Sequence, residues 1–162
     1  MSFKKFILDL RNRKKAAEKG GGDKAQAKQK AMGKLNARER IIAILDDNSF
    51  REYDMFVEHV ARDFDMEKKK LQGDGVIIGT GTINGAPVCI YAQDFTVAGG
   101  SLGLMHSRKI CKIMDHGRFK FEVCLPACAL LPPPAARVGA RPWDDSARAV
   151  ARVRGWKGGA RR

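Results

Sequence analysis

The chain has 162 residues, 44% of them apolar, which suffices for one ordinary domain with a sizeable core. Its net charge of +13 is unevenly placed, at +9 over residues 1–40, −3 over residues 41–117 and +7 over residues 118–162. The four cysteines form no disulfide framework, and no apolar run approaches the roughly 20 residues of a membrane span, so a disulfide-stapled module and a membrane-spanning helix are both excluded.

Phe3, Phe6, Ile7 and Leu10 recur at helical spacing among Lys4, Lys5, Arg11, Arg13 and Lys14. This predicts an amphipathic helix docked on its own protein or on a sister subunit. Gly20, Gly21 and Gly22 break it. Lys24 to Lys34 permits a helix but has almost no apolar stripe, as in a solvated helix or linker. The start is basic and acid-poor like a transit peptide, yet it is Lys-rich with Ser2 as its only hydroxyl residue. With no secretory signal, the expected location is the cytoplasm, or the mitochondrial matrix in a eukaryote.

Asn36 with Glu39 three residues on matches a capping box, predicting a helix to Asp46 that buries Ile41, Ile42 and Leu45. Asp47-Asn48-Ser49 ends it, and Phe50 to Val57 reads as extended. Gly73-Asp74-Gly75 then punctuates the chain. Val76–Ile83 and Val88–Ala92 are β-rich runs flanking Asn84-Gly85, whose tolerance of positive φ suits a type I′ hairpin turn. Pro87 opens the second strand, where a missing N–H disturbs little. A loop with Gly99-Gly100 follows, and Ser101 is placed to cap a helix running to about Asp115. Leu102, Met105, Ile110, Ile113 and Met114 make its expected apolar face. Cys89 in the strand and Cys111 in the helix read as buried thiols outside any disulfide.

Other candidate sites carry little. His59, His106 and His116 lack the paired spacing of metal ligands. Asp63, Asp65 and Glu67 alternate like the start of a calcium loop, but Lys68 stands where glycine is needed and Asp74 where glutamate is. Lys68-Lys69-Lys70 reads as a solvated turn before it reads as a phosphate contact. Cys124 and Cys128, which straddle Pro126, support no redox or metal motif.

Several motifs in order support a resemblance. GKLNARERIIAIL (residues 33–45), KKKLQGDGVIIGTGTINGAPVCIYAQDFTVAGGSLG (68–103) and SRKICKIMD (107–115) resemble the carboxyltransferase subunit of biotin-dependent acyl-CoA carboxylases, of the propionyl-CoA carboxylase and methylmalonyl-CoA decarboxylase type. The resemblance covers roughly residues 10–117. It implies an α/β fold, an incomplete crotonase-like N-terminal unit, and carboxyl transfer between carboxybiotin and an acyl-CoA. It also implies partners: acyl-CoA, a biotin carboxylase or biotin carrier subunit, and further copies of the chain in a homo-oligomer. No cofactor is expected to bind the chain directly, since biotin would sit on the partner subunit. The chemistry requires an enolate, whose oxygen must be met by preorganised N–H donors. Gly99, Gly100 and Ser101, read as opening a helix, are the candidate acyl-CoA-binding residues, because N–H groups at a helix start suit an anion. A tight turn that merely needs glycine is the plainer alternative. No residue is assigned a catalytic or metal-binding role.

The family's main donor pair lies in a Ser-Gly-Gly-Ala-Arg-Ile segment after the strand that follows this helix. After Gly117 the sequence instead reads RFKFEVCLPACALLPPPAARVGARPW, rich in Pro, Ala and Arg. Three regions are therefore expected: a basic helical segment (1–35), a partial carboxyltransferase domain (36–117) and an unrelated, largely disordered tail (118–162) from a frameshift, fusion or truncated gene. Such a chain is expected to be inactive alone. The alternative is a basic-armed binding module, in which Arg148, Arg152, Arg154, Arg161 and Arg162 with Trp143 and Trp156 hold nucleic acid or an anionic surface. No recognised nucleic-acid motif supports it.

Overall fold

The computed structural model describes residues 3–120 and 124–126. Three helices open the chain: α1 (Phe3–Glu18), α2 (Asp23–Ala31) and α3 (Ala37–Ile44). The capping box at α3 forms as its sequence suggests. Glu39 N–H donates to Asn36 Oδ1 at 2.8 Å and Asn36 N–H donates to the Glu39 carboxylate at 2.9 Å, so two orphan backbone donors are satisfied reciprocally. One residue into the helix, Arg38 forms a two-pronged pair with Glu52 (2.6 and 2.8 Å), which ties α3 to strand β1 (Arg51–Tyr53).

The sheet continues with β2 (Val76–Ile83), β3 (Ala86–Gln93) and β4 (Cys124–Pro126), in the order β1-β2-β3-β4. β1 pairs with β2 and β2 with β3 in antiparallel fashion, and β4 joins β3 in parallel. Asn84 and Gly85 both have positive φ (51° and 77°), as a type I′ turn demands. Asp46 grips this turn: its carboxylate accepts from the Thr82 hydroxyl (2.6 Å), Asn84 N–H (2.8 Å) and Gly85 N–H (2.9 Å). Those bonds, the Thr82 hydroxyl first, hold its carboxyl below the usual aspartate value. β1 reaches β2 across Gly79, where any Cβ would collide with the Arg51 carbonyl and the Phe50 ring.

The hairpin is buried on both faces. On one, Ile77, Ile83, Val88, Ile90 and Ala92 pack with Ala37, Ile41 and Leu45 of the α3 region. On the other, Val76, Ile78 and Cys89 pack with Ile113 of helix α4 (Leu104–Lys120). A sheet covered on both sides needs apolar residues at successive positions, which is why β2 and β3 read as nearly continuous apolar runs.

Several expectations are corrected. Ile41 and Leu45 are buried as expected, but Ile42 is 64% exposed, and Ala37 and Arg40 complete the buried face. Leu102 and Met114 are also exposed, while His106, Lys109 and Ile113 line the inner face of α4. Cys111 is exposed, unlike Cys89. The stretch Phe50–Val57 is strand only at Arg51–Tyr53. Ala86, not Pro87, opens β3; Pro87 lies outside the Cys89–Tyr91 stretch that pairs with β4. Among the described residues α1 does not dock its apolar stripe: Phe3 and Phe6 are 76% and 58% exposed, Ile7 is half-buried, and no residue of the helix is fully buried. α4 continues past Gly117 to Lys120, and Cys124–Pro126 forms β4. The rest of the expected tail lies outside the described residues.

Candidate functional site

The carboxyl end of β3 is held by hydrogen bonds from several elements. Asp94 N–H donates to the Gly75 carbonyl at 2.8 Å. Its carboxylate accepts from the Thr96 hydroxyl (2.6 Å) and N–H (2.9 Å), fixing the turn out of the strand. Gly21 N–H donates to the Thr96 hydroxyl oxygen at 3.1 Å, so the turn between α1 and α2 rests on this loop. A Cβ on Gly21 would overlap the Thr96 carbonyl, and only glycine permits that approach. From α3, the buried Arg40 guanidinium donates to the Gln93 carbonyl at 2.5 Å.

The Gly73-Asp74-Gly75 turn closes the other side. All three residues have positive φ (80°, 45° and 67°). Asp74 reaches across to α4, where its carboxylate accepts from His106 N–H at 2.8 Å, in the first turn of the helix. Lys109, only 2% exposed, donates to the Gly73 and Val76 carbonyls at 2.7 and 2.5 Å. Burial lowers its ammonium pKa to about 8 against the pull of Glu52, Asp54 and Asp74. Burial likewise lowers the His106 pKa, against Asp74; the neutral ring can accept at Nε2, which lies 3.4 Å from Gln93 Nε2.

Gly99, Gly100 and Ser101 lie together on the loop between β3 and α4, but they do not start the helix. α4 begins at Leu104, three residues after Ser101. Ser101 does not cap it: its hydroxyl donates to the Ala98 carbonyl at 2.7 Å. The Gly100 and Ser101 N–H groups are spent on Val97 and Ala98 carbonyls (2.8 and 3.2 Å), closing a short 3₁₀ turn. The start of α4 is met by the Asp74 carboxylate, which blunts its attraction for another anion. What remains accessible is the loop backbone itself. A Cβ at Gly99 would meet open space, whereas one at Gly100 would strike the Phe95 ring.

Phe95 is 48% exposed and also lines a groove of about 440 Å³ with Lys28, Gln29, Met32, Lys34 and Thr96. Among the described residues no group of three His, Cys, Asp or Glu could hold a metal ion, and no helix is long and apolar enough to cross a membrane. Lys68 and Lys70 are exposed and paired with Asp65 and Glu58 (2.8 and 3.7 Å). Sequence reasoning gave no role to Lys109 or Thr96, and it singled out Asp74 and His106 without foreseeing the bond between them. The left-handed turn signalled by Gly-Asp-Gly was the one visible sign that Asp74 holds a special position.

The carboxyl transferase domain model matches residues 28–126, which contain the hairpin, both flanking helices and the braced loop. The chain belongs to the carboxyl transferase family. It is 53% identical over 113 residues to the propionyl-CoA carboxylase beta chain of Roseobacter denitrificans, covering 70% of this chain and 22% of that protein. It is 53% identical over 107 residues to the methylmalonyl-CoA decarboxylase subunit alpha of Veillonella parvula, covering 65% of this chain and 21% of that one. Among solved structures it is similar to transcarboxylase 12S with methylmalonyl-coenzyme A and methylmalonic acid bound (36% identity, TM-score 0.75), over 78% of this chain and 25% of that chain. The fold of this carboxyl transferase chain is thus α/β, part of a crotonase-like unit. The chain spans about one fifth of the length of the curated relatives it matches.

Proposed function

We propose that this chain supplies the N-terminal part of the acyl-CoA side of a carboxyltransferase subunit, for an acyl-CoA such as propionyl-CoA or methylmalonyl-CoA. The observation that carries the reading is the braced loop at the carboxyl end of β3, lying within the family match. Residues at strand ends on a rigid sheet hold a ligand with little reorganisation. The loop backbone at Gly99, Gly100 and Ser101 is the segment proposed to face the thioester. Gly99 leaves that backbone open to close approach, and Asp94, Thr96 and Gly21 hold its base in place.

In this reading biotin stays on a partner subunit and supplies the carboxyl group, while the chain binds and orients the thioester. Further copies of the chain complete the assembly, in the cytoplasm or the mitochondrial matrix. The 162 residues alone do not turn over, because the donor segment expected shortly after α4 does not stand there. A Gly-Gly-Ala-Arg run does occur at 158–161, sharing four residues with that segment; it lies far past α4 and outside the described residues.

A titration separates this reading from a basic-armed binding module. The chain is titrated with propionyl-CoA and, separately, with duplex DNA across a range of salt. Saturable binding that depends on the acyl group supports the proposal. Binding to DNA with steep salt dependence and indifference to acyl-CoA contradicts it.

A further inference from the structure

Helix α1 carries a pattern that the acyl-CoA reading leaves unused, and it lies outside residues 28–126, the span matched by the carboxyl transferase domain model. At 3.6 residues per turn, Phe3, Phe6, Ile7 and Leu10 share one arc about 100° wide. Arg13 borders that arc on one side and Lys4 and Arg11 on the other, with Lys5 and Lys15 beyond them. The helix holds six basic residues against two acidic ones, Asp9 and Glu18. Among the described residues only Arg13 of those six has an ion-pair partner, Asp9 at 3.1 Å. Leu10 and Lys14 line a groove with Phe50 and Phe56, so the second half of the stripe turns toward the body of the chain. Phe3 and Phe6, in the first half, stay exposed.

We propose that α1 docks the chain on an anionic lipid surface. An apolar stripe bordered by unpaired cations matches a partner that is apolar beneath and negatively charged on top, which is the profile of a bilayer with acidic headgroups. Duplex nucleic acid offers the charge without the apolar layer. A second copy of the chain offers an apolar stripe ringed by the same positive charge. The helix is too short and too charged to cross a bilayer, so it lies in the plane of the headgroups. Phe3, Phe6 and Ile7 then sit below the phosphates, and the long stems of Lys4 and Arg11 reach back up to them. The far end of the helix is tied to the body where Gly21 N–H donates to the Thr96 hydroxyl oxygen at 3.1 Å. The proposal is independent of the acyl-CoA reading, because none of its residues is assigned to that function.

The test is co-sedimentation of the full chain with phosphatidylcholine vesicles, with and without about one third phosphatidylglycerol. The chain is expected to partition onto the anionic vesicles and only weakly onto the neutral ones. Phe3→Ser with Phe6→Ser is expected to weaken that partitioning by about tenfold or more, through lost apolar burial. Lys4→Gln with Arg11→Gln is expected to weaken it by about 25-fold, roughly fivefold for each cation removed from the surface. Phe3→Leu with Phe6→Leu keeps the stripe apolar and is expected to bind as the parent does. Two controls away from α1, Phe64→Ser and Lys68→Gln with Lys70→Gln, remove an exposed ring and two exposed charges; neither is expected to change binding. Absence of vesicle binding, or equal binding to neutral and anionic vesicles, overturns the proposal. Binding that survives both α1 variants places the lipid contact elsewhere in the chain and overturns it as well. If the charge variant weakens binding while the Phe→Ser variant does not, and duplex DNA displaces the vesicles, the helix is a nucleic-acid contact and the lipid assignment fails.

Discussion

Asp46, Asp74 and Lys109 each act on a segment distant in sequence, and each gives a distinct expectation. Asp46 has a folded-state pKa below its ordinary value, so the native state binds fewer protons than the unfolded chain in acid. Its contribution is fully present above about pH 4 and fades as pH falls through its lowered pKa. The urea midpoint of Asp46→Asn should therefore lie below that of the parent at pH 7, and the gap should close near pH 3. A gap unchanged in acid would mean the carboxylate does not hold the hairpin turn. Lys109 behaves with the opposite penalty. Its pKa of about 8 lies below the ordinary lysine value of 10.5, so between those values the unfolded chain holds the extra proton and stability rises with pH. Relative to Lys109→Met, the parent should gain on the order of 2–3 kcal/mol between pH 8 and 10.5, measured by urea unfolding. A flat difference across that range would mean the ammonium is not desolvated.

Asp74 caps α4 from outside the helix. Asp74→Ala should destabilise the chain by about 1 kcal/mol in urea unfolding, and Asp74→Asn should restore much of that, since Asn caps nearly as well as Asp. Equal loss in both variants would place the effect in the carboxylate charge, since Asn serves both the left-handed turn and the cap. The sequence made some residues legible and hid others for a physical reason. Asn36 and Glu39 lie three apart, so their capping box is visible locally. Asp74 and His106 lie 32 apart, and nothing near Leu104 announces where α4 begins.

At the scale of elements, the hairpin was the most legible part, because Asn84-Gly85 fixes its turn and the flanking apolar runs fix its strands. The helix faces were less so. Apolar spacing marks a stripe but not what covers it, and so Ile42, Leu102 and Met114 were assigned to a core they do not enter. Conversely, Arg40, His106 and Lys109 are buried because carbonyls or a carboxylate from other elements receive them, which composition alone cannot reveal. Strand β1 depends on one close approach. Gly79→Ala should push β1 off the sheet edge, at a cost of about 1–3 kcal/mol, with faster amide exchange at Arg51–Tyr53 while β2 and β3 stay protected. Unchanged exchange at β1 would show that the edge can yield around a methyl group.

For the whole molecule, the family and the order of its elements were legible from separated motifs, while the candidate site was legible only as a loop. The Gly99–Ser101 segment is where the sequence placed it, but its chemistry is that of a braced turn and not of a helix start. Phe3, Phe6 and Leu10 lie uncovered on α1, and Phe64 is 96% exposed. Apolar patches of this kind favour association. Sedimentation at micromolar concentration should show species above the monomer, and Phe3→Ser with Phe6→Ser should shift the population toward it; a concentration-independent monomer for the parent would contradict this. The most direct measurement is carboxyl transfer to propionyl-CoA by the purified chain, supplied with a carboxylated biotin carrier and no other carboxyltransferase subunit. The expected result is saturable propionyl-CoA binding without carboxylated product above background. Sustained product formation would contradict the account.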